Sequence, residues 1–370
     1  MMGDMRRSLA AVLCGVLVVV SACSAKEPVA APPPHHTGSA GPDQPLRAGE
    51  RFSTLTMPAS YRPAAPHGGS DEYRCFLVDP GLTRDAFLTG SRFQPGNAAL
   101  VHHAIFFRIR PEQADQARAV DAADPGEGWT CFGDAGVGDG AAWVAHWAPG
   151  VGETALAPEI GYPMPVGSKM VMQVHYNLLG SPGGTDRSSI RLRLTDRPGL
   201  QPLDTMTLPA PVELPCAAGE SGPLCDRAAA IRDVASRFGE GSAGMVEGLR
   251  QRCGADPGPR QHCDHEVDRA GLVYAVGGHM HLLGRAISID LNGRRLLDVP
   301  SYDFDEQAVI PLATPVAVKP GDELRVNCTH DAALRGQLPQ LRGLPPRYVV
   351  WGDGTADEMC LGLVVWSPAG

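Results

Sequence analysis

The chain has 370 residues, 43% of them hydrophobic and 20% charged. At roughly 150 residues per domain that is room for about two domains, which excludes a single small module. Glycine (44) and proline (34) are too frequent for long uninterrupted helices, which argues against a helical bundle or solenoid. The formal charge of -9 comes from 41 acidic and 32 basic residues. With no lysine-arginine tract in the sequence, it argues against a nucleic-acid partner.

Residues 1–22 read as a lipoprotein signal peptide. Arg6 and Arg7 form its positive start, and Leu9 to Val20 an apolar run too short to span a bilayer comfortably. Ser21-Ala22-Cys23 resembles the lipobox of bacterial lipoproteins. Cys23 would then be the lipidated first residue of an extracytoplasmic, membrane-anchored chain, with an ordinary cleaved signal as the alternative. Residues 23–68 are rich in Pro, Ala and Gly, as in a flexible tether, and His35 and His36 within it read as a solvated pair.

Cys14 leaves with the signal. Cys75, Cys131, Cys216, Cys225, Cys253, Cys263, Cys328 and Cys360 remain, an even number that suits four disulfides in an oxidising compartment. Cys253, His262, Cys263 and His265 have the residue types of a zinc site, but the compartment favours disulfides.

From Glu72 onward, short apolar runs (YRCFLV, LVHHAIFFRI, SKMVMQVHYNLL, SSIRLRLTD, GLVYAVGGHMHLLGRAISIDL, ELRVNC and EMCLGLVVW) read as strands between turn signals such as PGN, GSPGGTD, LNGRR and KPGDE. Ile190, Leu192 and Leu194 share one face, and Ile287, Ile289 and Leu291 another. The expected fold is all-β: two tandem β-sandwich, jelly-roll-like domains, over residues 69–205 and 206–370. A helical insertion is expected at about 226–252, with Asp226 as its N-cap. Cys225 and Cys253 flank the insertion and Cys216 and Cys263 lie outside them. Nested bridges would clamp it, and other pairings are equally allowed.

Three of the strands carry histidine. His279 and His281 stand at i and i+2, on one face of a strand and about 6 to 7 Å apart, so both rings can reach one metal ion. Two hydrogen-bonded strand histidines would show the same spacing. His102 and His103 are adjacent, which sends them to opposite faces of a regular strand. A shared ion requires a bulge, or different ring nitrogens. His175 sits in the apolar run MVMQVHYN. Met359 is an ordinary core residue by type, yet a thioether beside two imidazoles favours Cu(I) over Zn(II).

In that order, LVHHAIFF, QVHYN, HMHLLGRA and DEMC resemble the copper type II, ascorbate-dependent monooxygenase family. With EYRCF and FQPGN upstream, the resemblance runs from about residue 70 to 367. It implies two β-sandwich domains, each holding one copper ion, across an open cleft. His102, His103 and His175 correspond to a three-histidine site that stores and passes on an electron. His279, His281 and Met359 correspond to the site where dioxygen and substrate meet. Cys75 with Cys131, and Cys328 with Cys360, correspond to family disulfides, and Gln173 matches the QVHY pattern as a residue that orients the ring or lines the cleft. The implied reactants are O2, a small organic substrate and an external, ascorbate-like electron donor.

The peptide-hydroxylating members carry an Arg where this chain has Gly277, and Asn and Tyr where it has Leu361 and Leu363. A peptide carboxylate therefore lacks its anchors, and a smaller or more apolar substrate is expected. His146, between Trp143 and Trp147, reads as a core or edge residue with cleft lining as the alternative, and His262, His265 and His330 read as bystanders in polar loops. The leading expectation is a copper-dependent monooxygenase. Its main rival is a non-enzymatic copper-binding lipoprotein for storage, delivery or sensing. A β-sandwich adhesion module with vestigial sites is disfavoured by the complete ligand set.

Overall fold

The structure is a computed structural model that describes residues 44–66, 69–138, 140–179 and 183–369. The signal peptide, Cys23, and His35 and His36 lie outside the described residues. Within them the chain is mostly β-strand with few helices.

The first half of the chain forms two large, mostly antiparallel sheets. In a six-stranded sheet, Glu50–Thr56 pairs with Ser189–Thr195, which pairs with Ala86–Gln94. Glu50–Thr56 therefore belongs to the folded body, although its composition placed it in the tether. In a five-stranded sheet, Lys169–Asn177 lies between Asp71–Val78 and Val101–Ile109, with Trp129–Thr130 and Ala142–Trp147 at the edges. The second half adds two four-stranded sheets. One runs Asp204–Pro209, Leu361–Pro368, Gly271–His279 and Val309–Val318, and the other Arg260–Glu266, Glu323–His330, Gly284–Leu291 and Arg294–Val299. Asn292 (φ 50) and Gly293 (φ 81) make the hairpin turn in LNGRR, because a two-residue turn of this kind needs left-handed φ at both positions.

These four large sheets are arranged as a four-bladed, propeller-like ring, so the expectation of two tandem β-sandwiches is overturned. Burial also departs from two separate sandwiches. In a simple sandwich each sheet keeps one face in water, but the five-stranded sheet is covered on both. Phe76, Ala104, Phe106 and Met172 pack into one core, while Cys75, Ile105, Phe107 and Val171 pack into another. Ala275 and Val365, from a sheet of the second half, join the first of these cores. Alternating apolar residues mark a buried strand face, but not which sheet will cover it.

The helical insertion is present as Arg227–Phe238 and Glu240–Cys253. The Asp226 carboxylate caps the first helix by accepting the Ala229 N–H at 2.8 Å, and Gly239 (φ 88) allows the break between the two. The flanking cysteines pair sequentially, Cys216 with Cys225 and Cys253 with Cys263, and not in nested fashion. Each bridge closes a short loop at one end of the insertion. The other two disulfides join Cys75 to Cys131 and Cys328 to Cys360.

Candidate metal centre

The adjacent histidines share a site because their strand bulges. Val101 pairs with Tyr176 and His103 with His175, and the register shifts between them at His102. The extra residue turns the His102 ring to the face that carries His103 and His175. The Nδ1 atoms of His102 and His103 are 3.1 Å apart and those of His103 and His175 3.3 Å. All three residues are buried, with candidate ligand atoms within 4.8 Å of one another.

Their surroundings set the tautomer. His175 Nε2 donates to Asp71 Oδ1 at 2.9 Å, which leaves Nδ1 unprotonated and aimed at the other two rings. Burial alone would raise the Asp71 pKa, but hydrogen bonds from His175, Thr355 and Ser70 hold it below the usual carboxylate range. Tyr73 stacks on His175, with ring centroids 4.1 Å apart and planes 9° from parallel. His102 stacks in the same way on Phe304, at 4.1 Å.

His279 ends the strand Gly271–His279, and His281 follows it in the turn toward Gly284. His279 Nδ1 lies 2.5 Å from Gln307 Oε1, which accepts its proton and leaves Nε2 as the free donor atom. The Gln307 amide is held in turn, since its Nε2 donates to the Phe304 carbonyl at 2.7 Å. His281 is fully buried, and neither of its ring nitrogens has a hydrogen-bond partner among the described residues. A buried imidazole without partners is costly unless something else occupies its lone pair. Burial keeps these rings neutral: it depresses the His103 and His281 pKa values and, with the nearby His281, takes His279 down to about 3.

Between the two histidine groups the expected open cleft is closed. The His103 and His279 ring centroids are 5.5 Å apart, and those of His279 and His281 5.2 Å. A cavity of about 530 Å³ adjoins them, and His103, His279 and Met359 all line it. Its other walls are largely apolar, among them Phe132, Trp143, Trp147, Val309, Leu361 and Leu363, and they include no Lys or Arg among the described residues.

Glu358 holds the second group together. Its buried carboxylate accepts backbone N–H groups from His281 at 3.0 Å, Leu283 at 2.6 Å and Met359 at 3.1 Å. The Cys328–Cys360 bridge anchors the other side of Met359. His330, read from sequence as a loop bystander, is buried on a strand with Nε2 3.4 Å from Glu358. His262 and His265 also sit on a strand, Arg260–Glu266, where His262 is exposed and His265 Nε2 donates to the Pro209 carbonyl at 3.0 Å. With Cys253 and Cys263 bridged, no zinc site forms there. His146 lines the cavity, and burial lowers its pKa to about 4. Gln173 also lines the cavity, where its Nε2 donates to the Asp134 carbonyl at 2.7 Å beside the Cys75–Cys131 bridge and does not orient a histidine ring.

Asp71, Gln307 and Glu358 were missed from the sequence. Only Glu358 had a visible signal, its place directly before Met359 in DEMC.

The residues present fit copper. Imidazoles converge without a carboxylate among them, and a thioether shares their cavity, a donor set suited to a soft or borderline ion. Fold and site thus define the class: a mostly β protein built around two adjoining histidine groups of metal-binding type. Comparison with known proteins points the same way for the C-terminal part. Residues 258–369 match the family model described as copper type II ascorbate-dependent monooxygenase, C-terminal domain. Over that stretch the match supports the copper type II ascorbate-dependent monooxygenase family. A 101-residue stretch is 34% identical to the human DBH-like monooxygenase protein 2, covering 26% of this chain and 18% of that relative. Among solved structures, a conserved protein of unknown function from Pseudomonas aeruginosa PAO1 aligns over 86% of this chain and 100% of its own, at 10% identity and a TM-score of 0.18. The coconut allergen cocosin aligns over 86% of this chain and 85% of its own, at 10% identity and a TM-score of 0.15.

Proposed function

We propose that this chain is a copper-dependent monooxygenase that hydroxylates a C–H bond of a small, apolar organic substrate, using O2 and an external, ascorbate-like reductant. The observation that carries the reading is the convergence of His102, His103 and His175 beside His279 and His281, on a cavity that Met359 also lines. Two copper ions per chain are proposed: one held by His102, His103 and His175, the other by His279, His281 and Met359. Bound there, copper would supply the activation of dioxygen and the electron transfer that hydroxylation requires.

The protein's own groups supply orientation and exclusion of water. Asp71 and Gln307 fix the tautomers of His175 and His279, and Glu358 holds the backbone on both sides of the second site. The apolar walls suit an apolar substrate, and no cationic side chain among the described lining residues would bind a carboxylate. At Gly277, an added Cβ would already meet Val309 Cγ2 at 2.8 Å, so the Arg of the peptide-hydroxylating members has no room. The cavity also favours an enzyme over a storage or delivery protein, which needs ligands but no space for a substrate.

An anchor at Cys23 and an extracytoplasmic location are part of this proposal, and four disulfides support an oxidising compartment. The test is copper content together with O2 consumption by the copper-loaded protein, given ascorbate and a panel of neutral and carboxylated substrates. About two copper ions per chain and product-coupled O2 uptake with neutral substrates are expected. Copper binding without turnover on any substrate would favour the storage or delivery reading.

A further inference from the structure

Resting on the copper sites just proposed, we infer that Asp71 and Tyr73 are positioning residues that tie the three-histidine site to the loop carrying Met359. The two sites are then set by one shared strut. Asp71 and Tyr73 stand at i and i+2 on the strand Asp71–Val78, and both touch His175, by a hydrogen bond and by ring stacking. Both also reach across to the loop of residues 351–359. Thr355 Oγ1 donates to Asp71 Oδ1 at 2.5 Å, and the Tyr73 hydroxyl donates to the Asp353 carbonyl at 2.8 Å. The contacts again lie two residues apart on the loop side, so strand and loop are joined at two points.

The loop can transmit that constraint because it is internally closed. The Asp357 N–H donates to the Gly354 carbonyl at 2.8 Å and the Gly352 N–H to the Glu358 carbonyl at 3.1 Å. Arg237 clasps both Asp357 carboxylate oxygens, at 2.7 and 2.8 Å, and Arg347 donates to one of them at 3.0 Å. From Glu358 the connection passes to the His281 backbone. Asp71, Tyr73, Thr355, His175 and Glu358 are all at most 6% exposed, so water does not compete for these bonds.

Asp71 Oδ1 accepts from Thr355 and His175 together, so the Thr355 hydroxyl shares the oxygen that sets the electron donation of His175. Thr355→Val removes this hydroxyl at nearly constant shape, and Thr355→Ser keeps it. The test compares the Cu(II) EPR spectrum and copper affinity of the three-histidine site in the full-length wild type and both variants, each in a His281→Ala background that removes a ligand of the second site. Expected are a changed hyperfine splitting and affinity about tenfold lower for Thr355→Val, with Thr355→Ser close to wild type. An unchanged Thr355→Val spectrum and affinity would overturn the strut, as would a Thr355→Ser as perturbed as Thr355→Val. If Thr355→Val does not fold, Tyr73→Phe serves in its place, because it removes the Asp353 bond and keeps the stack. An unchanged spectrum there would likewise overturn the strut. A wild-type chain that binds no copper fails one step earlier and overturns the proposed function itself, with no variant needed.

Discussion

The carboxylate of Glu358 accepts the backbone N–H of His281 at 3.0 Å, so a residue next to Met359 holds the turn that presents a histidine 77 positions away. The same side chain receives Leu283 and Met359, and removing it leaves buried N–H donors unpaired. Glu358→Ala should destabilise the fold by at least about 3 kcal/mol, since each orphaned buried group costs roughly 1–3 kcal/mol. Glu358→Gln, which keeps an acceptor oxygen, should lose less. Thermal unfolding of the metal-free protein measures both, and copper titration should show the second site weakened more than the first.

Gln307→Leu is expected to leave the fold nearly intact while lowering copper affinity about 10- to 100-fold at the His279 site. The His279 Nδ1–H would lose its acceptor, and the ring its fixed tautomer. Competition titration against a chelator of known affinity reads the change.

Gly277→Ala should cost about 1–3 kcal/mol, because its Cβ would be forced against Val309 Cγ2. Val309→Ala should remove much of that penalty in the double variant, so a double-mutant cycle should give a coupling well above 0.5 kcal/mol. Additive effects would show that the crowding at Gly277 does not come from Val309.

Asp353 is predicted to weaken the protein as pH rises. Burial first, and then the Asp357 charge, push its pKa up to about 7, while a hydrogen bond from Ser242 works against them. An unfolded chain releases this proton near 3.8, so the folded state binds the extra proton between the two values. The contribution is fully present below 3.8 and is lost as pH rises through 7. Asp353→Asn should therefore gain stability over wild type between pH 5 and pH 8, by a few kcal/mol at most at about 1.4 kcal/mol per pKa unit.

His146 has the opposite sign. Burial lowers its pKa from 6.5 to about 4, so on acidification the unfolded chain takes up a proton that the folded one refuses. Its contribution is present above pH 6.5 and lost as pH falls toward 4, by roughly 2–3 kcal/mol. His146→Gln should flatten the acid limb of the stability profile by about that amount. An unchanged limb would mean that the ring reaches water in the folded state.

Several features were legible because their causes are local. Alternating residues such as Ile287, Ile289 and Leu291 mark strands, Asn292-Gly293 marks a hairpin, and Asp226 caps the helix it precedes. The even set of eight cysteines after Cys23 implied four bridges, and four form. By itself, then, the sequence determined that the chain is mostly strand with a helical insertion, and which histidines were worth watching. Tertiary structure decided everything that depends on residues far apart in the chain. The bulge that brings His102 to His103 exists only against the His175 strand, and the partners of Asp71 in His175 and Thr355 lie 104 and 284 residues away. His330 is buried against Glu358 from a distant part of the chain, and the cysteines flanking the insertion pair as sequence neighbours. The sheets formed a propeller-like ring in place of two sandwiches for the same reason: a strand encodes which of its faces avoid water, while the surface that covers each face is chosen by packing among all the sheets at once.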